Sequence, residues 1–313
     1  MKGILRKLAV MLVTVLVVSF LVFLAFDVIP GDPAQAKLGT QATPEAVEAL
    51  REEMGLNRPI FVQYGSWLLG FLQGDFGTSY SYHIPVAEMI AQKLPITAML
   101  TLFSFLLMIL VSIPLGIWTA RKEGGLLDRS LTVINQIFMS VPPFLLGVAC
   151  TYIFGVGLRI FVPGQFVSYT QSWPKFLVYL IFPAISIGIS RIAMTVKMLR
   201  ASILNQMERD YVRTARSRGS TKDRILRKHV LRNAIIPVIT FIATSMAEIV
   251  ASSIVIEQVF AIPGIGVLLL SSINNRDFPV VQALVMILVL WVVLVNFLAD
   301  LLYQYMDPRI RLR

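Results

Sequence analysis

The chain has 313 residues; 56% of them are hydrophobic, 15% are charged, and the mean hydropathy is +0.74. Because a soluble domain carries about 25% charged residues, this composition excludes a soluble globular enzyme, a disordered chain and a secreted disulfide scaffold. The single cysteine, Cys150, cannot form an intrachain disulfide. The formal net charge of +10 indicates either a nucleic-acid surface or a charge that sorts by membrane side.

Six apolar blocks are each long enough to cross a bilayer, since about 20 apolar residues span its hydrocarbon core as a helix. They lie at about 8–29, 97–120, 130–161, 176–199, 234–256 and 280–303. The pair Pro142-Pro143 interrupts the third block, and a break of this kind persists only where neighbouring protein satisfies the freed carbonyls. The blocks predict an all-α membrane protein with six transmembrane helices.

The first block has a second interpretation, because its surroundings resemble those of a secretory signal. Basic residues precede it, and Ala34-Gln35-Ala36 resembles a signal-peptidase site. However, Leu8 to Phe26 is an uninterrupted run of 19 apolar or small residues, whereas a signal core has about 7–15. We therefore expect a retained first span.

The basic residues separate by membrane side when both termini are placed in the cytoplasm. The inner segments then hold 20 of the 28 Lys and Arg residues and net +13, whereas the outer segments net −4. This distribution follows the positive-inside rule. The excess charge is therefore a topology signal, and we expect no nucleic-acid partner. The resulting division is a first transmembrane helix at 1–29, an extracytoplasmic segment at 30–95, a five-helix transmembrane core at 96–303 and a cytoplasmic tail at 304–313.

The extracytoplasmic segment is too long for a simple connection. Its 43–56 stretch begins with a capping Thr43 and a proline at the first helical position and ends at Gly55, which predicts a short surface helix. Residues 67–72 are apolar enough to lie at the interface, and residues 74–77 predict a turn. The segment fits a structured outer cap, or a gate or docking surface for a delivery protein, and the sequence leaves these open.

The inner loop at 200–232 is the most organised polar stretch. The segment 197–232 carries 11 basic residues and no proline. Its pattern predicts a helix over 207–218, a stop at Gly219 and a second helix capped within Ser220-Thr221-Lys222-Asp223, with Asn233 as a candidate cap of the fifth span. Anchoring of the two flanking spans would explain the basic charge but not the order of helix, stop and helix. The helix, stop and helix instead favour a segment that inserts into a groove of a cytosolic partner.

Several catalytic patterns are absent from the sequence. The dipeptide Gly-Lys does not occur, so the chain lacks a P-loop and is not expected to hydrolyse ATP alone. The only histidines, His83 and His229, fall on opposite predicted sides of the membrane and cannot share a metal ion. The serine-hydrolase pattern Gly-x-Ser-x-Gly is also missing. These absences disfavour a membrane enzyme and leave passage of a solute as the expected activity.

Two charged residues, Arg191 and Glu248, lie deep in the fourth and fifth blocks. Each charge at the bilayer centre costs about 2.5–3.5 kcal/mol on insertion scales, so such groups face a bundle interior or water. They either line a polar path, where they pair or meet the charged ends of a substrate, or form a structural ion pair between two spans. The sequence does not decide between these interpretations.

The inner loop also resembles a known family. DYVRTARSRG at 210–219 and HVLRNAIIPV at 229–238 are similar to the inner-loop motif of permease subunits in the peptide/nickel class of ATP-binding-cassette (ABC) importers. The general importer motif is EAA, three residues, Gly, nine residues, then I-x-L-P; only Ala215, Gly219 and Leu231 match it, and the departures are ones that the peptide/nickel class itself shows. Similar segments run along nearly the whole chain: Gly31-Asp32-Pro33, GLNRPIFVQY at 55–64, GDFGTSY at 74–80, IEQVFAIPGIG at 256–266, NRDFPVVQ at 275–282 and DPRIR at 307–311.

The resemblance implies a type I ABC importer permease fold (MetI-like) in a bacterial or archaeal cell membrane. It implies a second homologous permease, two cytosolic ATPase subunits and an extracytoplasmic substrate-binding protein as partners. It also implies that ATP and Mg²⁺ act in partner subunits, with no cofactor in this chain. The first inner helix becomes the coupling helix that docks on the ATPase, and segment 30–95 becomes part of the binding-protein platform.

Particular residues acquire expected roles from this resemblance. In the coupling helix, basic side chains meet an acidic groove of the ATPase while Tyr211 and Val212 fill it. The loop 260–279, with Pro263, Gly264 and Gly266, forms an outer gate. The ATPase-coupling set comprises Asp210, Tyr211, Val212, Arg213, Thr214, Ala215, Arg216, Arg218 and Gly219.

The substrate remains open at the level of the sequence. Relatives with this skeleton carry short peptides, nickel or nickel chelates, or glutathione-like compounds; we favour short peptides. A stand-alone channel or secondary transporter is a more remote alternative, and it predicts inverted repeats, of which the two halves show no convincing sign.

Overall fold

The computed structural model describes residues 2–28, 33–38 and 43–306, and they fold into two units. The first unit comprises Met1–Ile96 and Pro263–Leu294, and the second comprises Thr97–Ile262 and Val295–Arg313. The Gly31-Asp32 and 307–311 segments that carry part of the family resemblance lie outside the described residues, as do positions 307–313 of the predicted tail.

The described residues are mostly helical. In chain order the helices are α1 (Lys2–Val28), α2 (Pro33–Leu38), α3 (Pro44–Glu53), α4 (Ile60–Leu72), α5 (Val86–Arg121), α6 (Leu126–Ser140), α7 (Pro143–Cys150), α8 (Trp173–Met207), α9 (Asp210–Ser217), α10 (Lys222–Ile225), α11 (Leu231–Val259), α12 (Ile265–Asn274) and α13 (Phe278–Met306). Two π-helical turns extend this set: Thr151–Gly157 follows α7, and Leu226–Val230 joins α10 to α11.

The predicted transmembrane blocks correspond to five long helices and one bent pair. Long apolar helices contain Leu5–Phe26, Val86–Arg121, Trp173–Met207, Lys222–Val259 and Phe278–Leu302, and each meets the length and hydropathy of a membrane span. Helices α6 and α7, with its π-turn, meet that test only together, and they are bent by 105°. The prediction of an all-α membrane fold is confirmed, and the third block is broken where the sequence placed its interruption.

The bend between α6 and α7 follows from its two prolines. Val141 (φ −92°, ψ 126°) and Pro142 (φ −60°, ψ 143°) are extended, because a residue before proline avoids the helical region and proline itself cannot donate an amide hydrogen bond. The freed carbonyl of Val141 accepts a hydrogen bond from the Ser190 hydroxyl of α8 at 3.4 Å. A neighbouring helix thus satisfies the break, as expected for irregular backbone in a membrane.

In the first unit, α4 packs on the first span through aromatic side chains. Phe20 and Phe23 of α1 make ring contacts with Tyr64 at centroid distances of 5.2 and 5.7 Å. The Ser19 and Tyr64 hydroxyls share a hydrogen bond of 2.7 Å. Most residues of α1 that remain exposed are apolar, as suits a helix that meets lipid; they include Leu5, Val10, Leu12, Val13, Leu16, Val17 and Leu21.

The outer features predicted for this unit are present. The Thr43 hydroxyl accepts a hydrogen bond from the Ala46 amide at 3.3 Å and caps α3, whose first residue is the predicted proline. The chain leaves α3 through Gly55 at φ +70°. In the predicted turn, an Asp75 carboxylate oxygen accepts from the Gly77 amide at 2.9 Å.

In the second unit, α8 and α11 pack against each other and hold its core. From α8, Leu180, Ile187 and Leu199 are fully or nearly fully buried, and from α11, Val238 and Ile249 are fully buried. The chain from Lys222 to Val259 is one continuous helix through the π-turn, so the predicted boundary at Asn233 is wrong. The Asn233 side chain instead donates to the His229 carbonyl, one turn earlier in that helix.

Candidate functional site

The predicted coupling segment is a short helix closed by a glycine. Helix α9 ends in two capping bonds: the Gly219 amide donates to the Arg216 carbonyl at 3.0 Å, and the Ser220 amide donates to the Ala215 carbonyl at 3.2 Å. This pair of bonds is a Schellman motif, which requires a left-handed residue. Gly219 supplies it at φ +78°. No other atom lies within 4 Å of where a Cβ at Gly219 would be, so glycine is needed for its backbone conformation and not for space.

The second inner helix begins one residue later than expected. Thr221, not Ser220, is the N-cap of α10, and its hydroxyl accepts a hydrogen bond from the Arg224 amide at 3.4 Å. The Schellman motif explains the shift, because it uses the Ser220 amide to close α9. The predicted order of helix, glycine stop and capped helix is otherwise present.

The α9 surface differs from the expectation at one residue. Val212 is 0% exposed, so it anchors α9 to its own chain, and the expectation that it fills a groove of a partner is wrong. Tyr211 is half-buried and its hydroxyl donates to the Gln206 side chain at 2.9 Å. Apart from Gly219, the exposed positions of the predicted set are polar or charged: Asp210, Arg213, Thr214, Arg216 and Arg218.

The exposed charges of α9 are free to change partners. Arg213 and Asp210 form an ion pair of 3.6 Å, but their side chains are 78% and 96% exposed. Such a pair contributes about 0–1 kcal/mol. Arg213 can therefore exchange Asp210 for a carboxylate of another protein at little cost. The segment thus presents an exposed basic surface on a buried apolar anchor.

Two ion pairs that sequence reasoning missed secure the structure around this segment. Arg200 of α8 makes a bidentate pair with Asp128 of α6 at 2.7 and 2.8 Å, and Asp128 is almost fully buried. Arg121 at the end of α5 lies 3.4 Å from Asp223 of α10. The sequence predicts only that these charged residues lie on the cytoplasmic side, because partners so far apart along the chain share no local pattern.

The structure brings together the two charged residues of the membrane blocks. A guanidinium nitrogen of Arg191 on α8 contacts a carboxylate oxygen of Glu248 on α11. Their side chains are 27% and 52% exposed, so the pair is not sealed inside the unit. Both sequence interpretations included this pairing, and the partial exposure of the two side chains is compatible with either one.

The exposed face of α11 around Glu248 is unusually polar for a membrane helix. Thr244, Glu248 and Gln258 are exposed at helical spacing along it, together with the apolar residues Ala251 and Val255. Polar groups of this kind are expensive against lipid and normally face protein or water. This face therefore suits a solvent-filled path or a second membrane subunit.

The three predicted gate residues lie at the start of the first unit's second segment. Pro263 and Gly264 precede α12, Gly264 occupies its N-cap position, and Gly266 lies in its first turn. Gly264 and Gly266 are buried. Helix α12 occupies Ile265–Asn274, so half of the predicted gate loop is an ordered helix.

Comparison with known proteins agrees with this arrangement. Two family profiles match: the binding-protein-dependent transport system inner membrane component over residues 112–312, and the N-terminal part of such membrane components over residues 1–101. A probable peptide ABC transporter permease of Sinorhizobium fredii is 35% identical over 308 residues, covering 98% of each chain. The oligopeptide transport system permease protein AppB of Bacillus subtilis is 34% identical, also covering 98% of each.

A solved structure shares the fold. The inward-facing MetNI methionine ABC transporter matches with a TM-score of 0.57 and 18% identity, covering 70% of this chain and 96% of that one. At this identity the likeness supports the MetI-like fold and nothing further. The family profiles and the full-length relatives show that the chain belongs to the inner-membrane components of binding-protein-dependent transport systems, as a permease of the peptide class of ABC importers.

Proposed function

We propose that the chain forms half of the path by which an ABC importer takes up short peptides. In this proposal it pairs with a second homologous permease, two cytosolic ATPase subunits and an extracytoplasmic binding protein, for which segment 30–95 is part of the platform. The inner segment that contains α9 carries the proposal. It has an exposed basic surface, a buried Val212 anchor and a glycine-dependent cap, which suit a helix that transmits force from a partner.

A continuous route connects this segment with the membrane ion pair. Helix α9 is followed by the single helix of Lys222–Val259, which carries Glu248 in its second half. Glu248 is joined to α8 through Arg191. A displacement of α9 by the ATPase therefore moves α10 and α11 as a connected rod and changes the relation between α11 and α8. This is the step by which we expect ATP-driven closure to switch access to the path.

The chemistry is divided between subunits. The chain holds the path, and ATP with Mg²⁺ binds in the partner ATPases, since this sequence has no P-loop lysine motif. Both termini lie in the cytoplasm of a bacterial or archaeal cell, which places the basic α9 segment on the ATPase side. Pro263, Gly264 and Gly266 shape the outer gate in this scheme.

Transport of peptides is tested with the complete complex in proteoliposomes. We expect ATP-dependent uptake of a labelled dipeptide or tripeptide when the binding protein is present, and loss of uptake without it. Uptake of Ni²⁺ or a nickel chelate in place of peptide would instead establish the alternative substrate. Passage without ATP would contradict the importer proposal altogether.

The role of the ion pair is tested with two matched variants. Replacement of both charges, in Arg191→Gln with Glu248→Gln, is expected to abolish uptake while the complex still assembles. The exchanged pair, Arg191→Glu with Glu248→Arg, keeps an ion pair but reverses the charges along the path. If the pair is only structural, the exchanged variant regains uptake; if it borders the path, it stays inactive.

A further inference from the structure

An open cavity of about 560 Å³ lies within the first unit, and its lining includes no residue of α9 or of the Arg191–Glu248 pair. A volume of several hundred Å³ is typical of sites for small organic molecules. Its walls come from α1, the turn after α3, α4, the loop after α4 and the start of α13. They are rich in aromatic rings: Phe23, Phe26, Trp67, Phe76, Tyr80 and Phe278.

Three segments that carry the family resemblance meet at this cavity. The segment 55–64 supplies Gln63, the segment 74–80 supplies Asp75 and Phe76, and the segment 275–282 supplies Phe278 and Gln282. Neither the coupling segment nor the membrane ion pair uses these residues. Their convergence from distant parts of the chain indicates a constructed site and not an incidental gap.

A buried carboxylate holds two of these segments in place. Asp277 is 0% exposed, and it accepts hydrogen bonds from the Ser79 hydroxyl at 2.5 Å, the Tyr80 amide at 3.0 Å and the Ser81 amide at 3.3 Å. These bonds join the loop after α4 to the residue that precedes α13. Because bonds to a buried charged group are costly to break, the cavity wall that carries Phe76, Tyr80 and Phe278 is fixed before any ligand arrives.

The charge of the cavity selects the ligand. Among the described residues that line the cavity, Asp75, which is exposed, is the only one with an acidic or basic side chain. Burial, and then the negative charge of Asp277, raises the pKa of Tyr80 to about 12, so its hydroxyl stays neutral. One Asp75 carboxylate oxygen accepts the Gly77 amide, and the carboxylate keeps further acceptor capacity. A single negative charge beside aromatic faces attracts an organic ammonium group and repels anions.

The geometry points to a binding site for an ammonium group attached to an apolar body, with Asp75 as its counter-ion and the aromatic rings around its apolar part. The molecule we assign to it is a short peptide with a free N-terminus and an apolar first side chain. That choice rests on the proposed function, whereas the preference for an ammonium group rests on the cavity alone. Gln63, Ser66 and Gln282 offer polar partners for the peptide backbone.

The site is tested by binding to the complete complex in nanodiscs made of phosphatidylglycerol, a lipid without an ammonium group. The probes are the dipeptide Phe-Phe, N-acetyl-Phe-Phe and 2-phenylethylamine. We expect the dipeptide and the amine to bind, and the acetylated peptide to bind at least about tenfold more weakly because it lacks the ammonium charge. Equal binding of the free and acetylated peptides would overturn the assignment.

Two variants and one matched control locate the binding. Asp75→Asn keeps an acceptor for the Gly77 amide but removes the charge, and we expect it to weaken the amine at least about tenfold. Phe76→Leu keeps an apolar wall but removes a ring, and we expect a smaller loss. Glu53→Gln removes an exposed outer carboxylate on α3 that does not line the cavity, and it should bind as the unaltered complex does. Unchanged amine binding by Asp75→Asn would refute the site.

The outcomes separate this site from the proposed function. If the complex imports peptides but Asp75→Asn binds both probes normally, the site is wrong and the proposed function stands. If the complex imports only nickel while the amine still binds in an Asp75-dependent manner, the ammonium site stands and the peptide assignment fails with the proposed function. Displacement of both probes when phosphatidylethanolamine is added to the discs would identify a lipid headgroup as the occupant and overturn the peptide assignment.

Discussion

The glycine that closes the coupling helix provides a prediction with an internal control. Gly219 has φ +78°, and a Cβ added there would meet nothing within 4 Å. Alanine at this position costs only the left-handed backbone, about 1–2 kcal/mol. Gly124, in the turn between α5 and α6, has φ +76° and equally open surroundings. Gly219→Ala and Gly124→Ala therefore carry the same backbone penalty, but only the first lies in the coupling segment.

The backbone penalty of alanine at position 219 weakens the Schellman motif that ends α9. A loss of about 1–2 kcal/mol raises the open fraction of the cap roughly 5- to 30-fold. Hydrogen exchange at positions 219 and 220, whose amides make the two capping bonds, should speed up by that factor. Helix α9 has only eight residues and little stability of its own, so an opened cap also loosens the surface that we propose as the contact with the ATPase.

The functional assay is the number of ATP molecules hydrolysed per peptide imported by the reconstituted complex. We expect Gly219→Ala to raise this ratio and Gly124→Ala to leave it unchanged. Gly219→Asn should lie between alanine and glycine, because asparagine tolerates the left-handed region better than alanine. The reasoning is refuted if Gly219→Ala speeds exchange as calculated and yet transports with an unchanged ratio, or if Gly124→Ala uncouples equally.

Three further predictions concern the supports of these segments. Val212→Ala removes two buried methyl groups and should destabilise α9 by about 2 kcal/mol, seen as roughly 30-fold faster exchange of its amides; an unchanged rate would show that Val212 is not its anchor. Asp128→Asn breaks the bidentate pair with Arg200 and should cost about 1–3 kcal/mol in thermal unfolding, reduced by the partial exposure of Arg200; a double-mutant cycle that gives no coupling energy would contradict this. Since the pKa of Tyr80 is raised to about 12, the folded state holds this proton more tightly than the unfolded state, and the free energy of unfolding should fall from about pH 10 to pH 12. Tyr80→Phe should remove the part of this fall that Tyr80 causes. If Tyr80 were solvated, the wild-type and Tyr80→Phe proteins would lose stability equally over this range.

Much of the fold is predictable from local patterns. Length and hydropathy locate the membrane blocks, Pro142-Pro143 locates the bend, and Thr43 and Gly55 bound the first outer helix. These predictions succeed because each depends on residues within one or two turns. Helix α9 and its end at Gly219 are predictable for the same reason, because the residues that close the helix lie within one turn of Gly219.

The errors and omissions have a different physical origin. Asn233 is a good cap by type, but the helix continues through it because a π-turn joins α10 to α11. In the sequence, Val212 is an apolar residue on a basic helix and could contact a partner. Only the tertiary packing shows that it is buried. The Asp277 contacts with residues 79–81 join positions nearly 200 apart, and such pairings depend on the whole fold.

Whether α9 is the contact with the ATPase is tested most directly by site-specific photocrosslinking in the complete complex. A benzophenone amino acid is introduced at Arg216, exposed on α9, and in a second variant at Arg129, an exposed basic residue of α6 on the same predicted side. We expect an adduct with the ATPase subunit from position 216, whose yield changes when ATP binds, and little from position 129. Absence of an adduct from 216, or equal adducts from both positions, would contradict the coupling role.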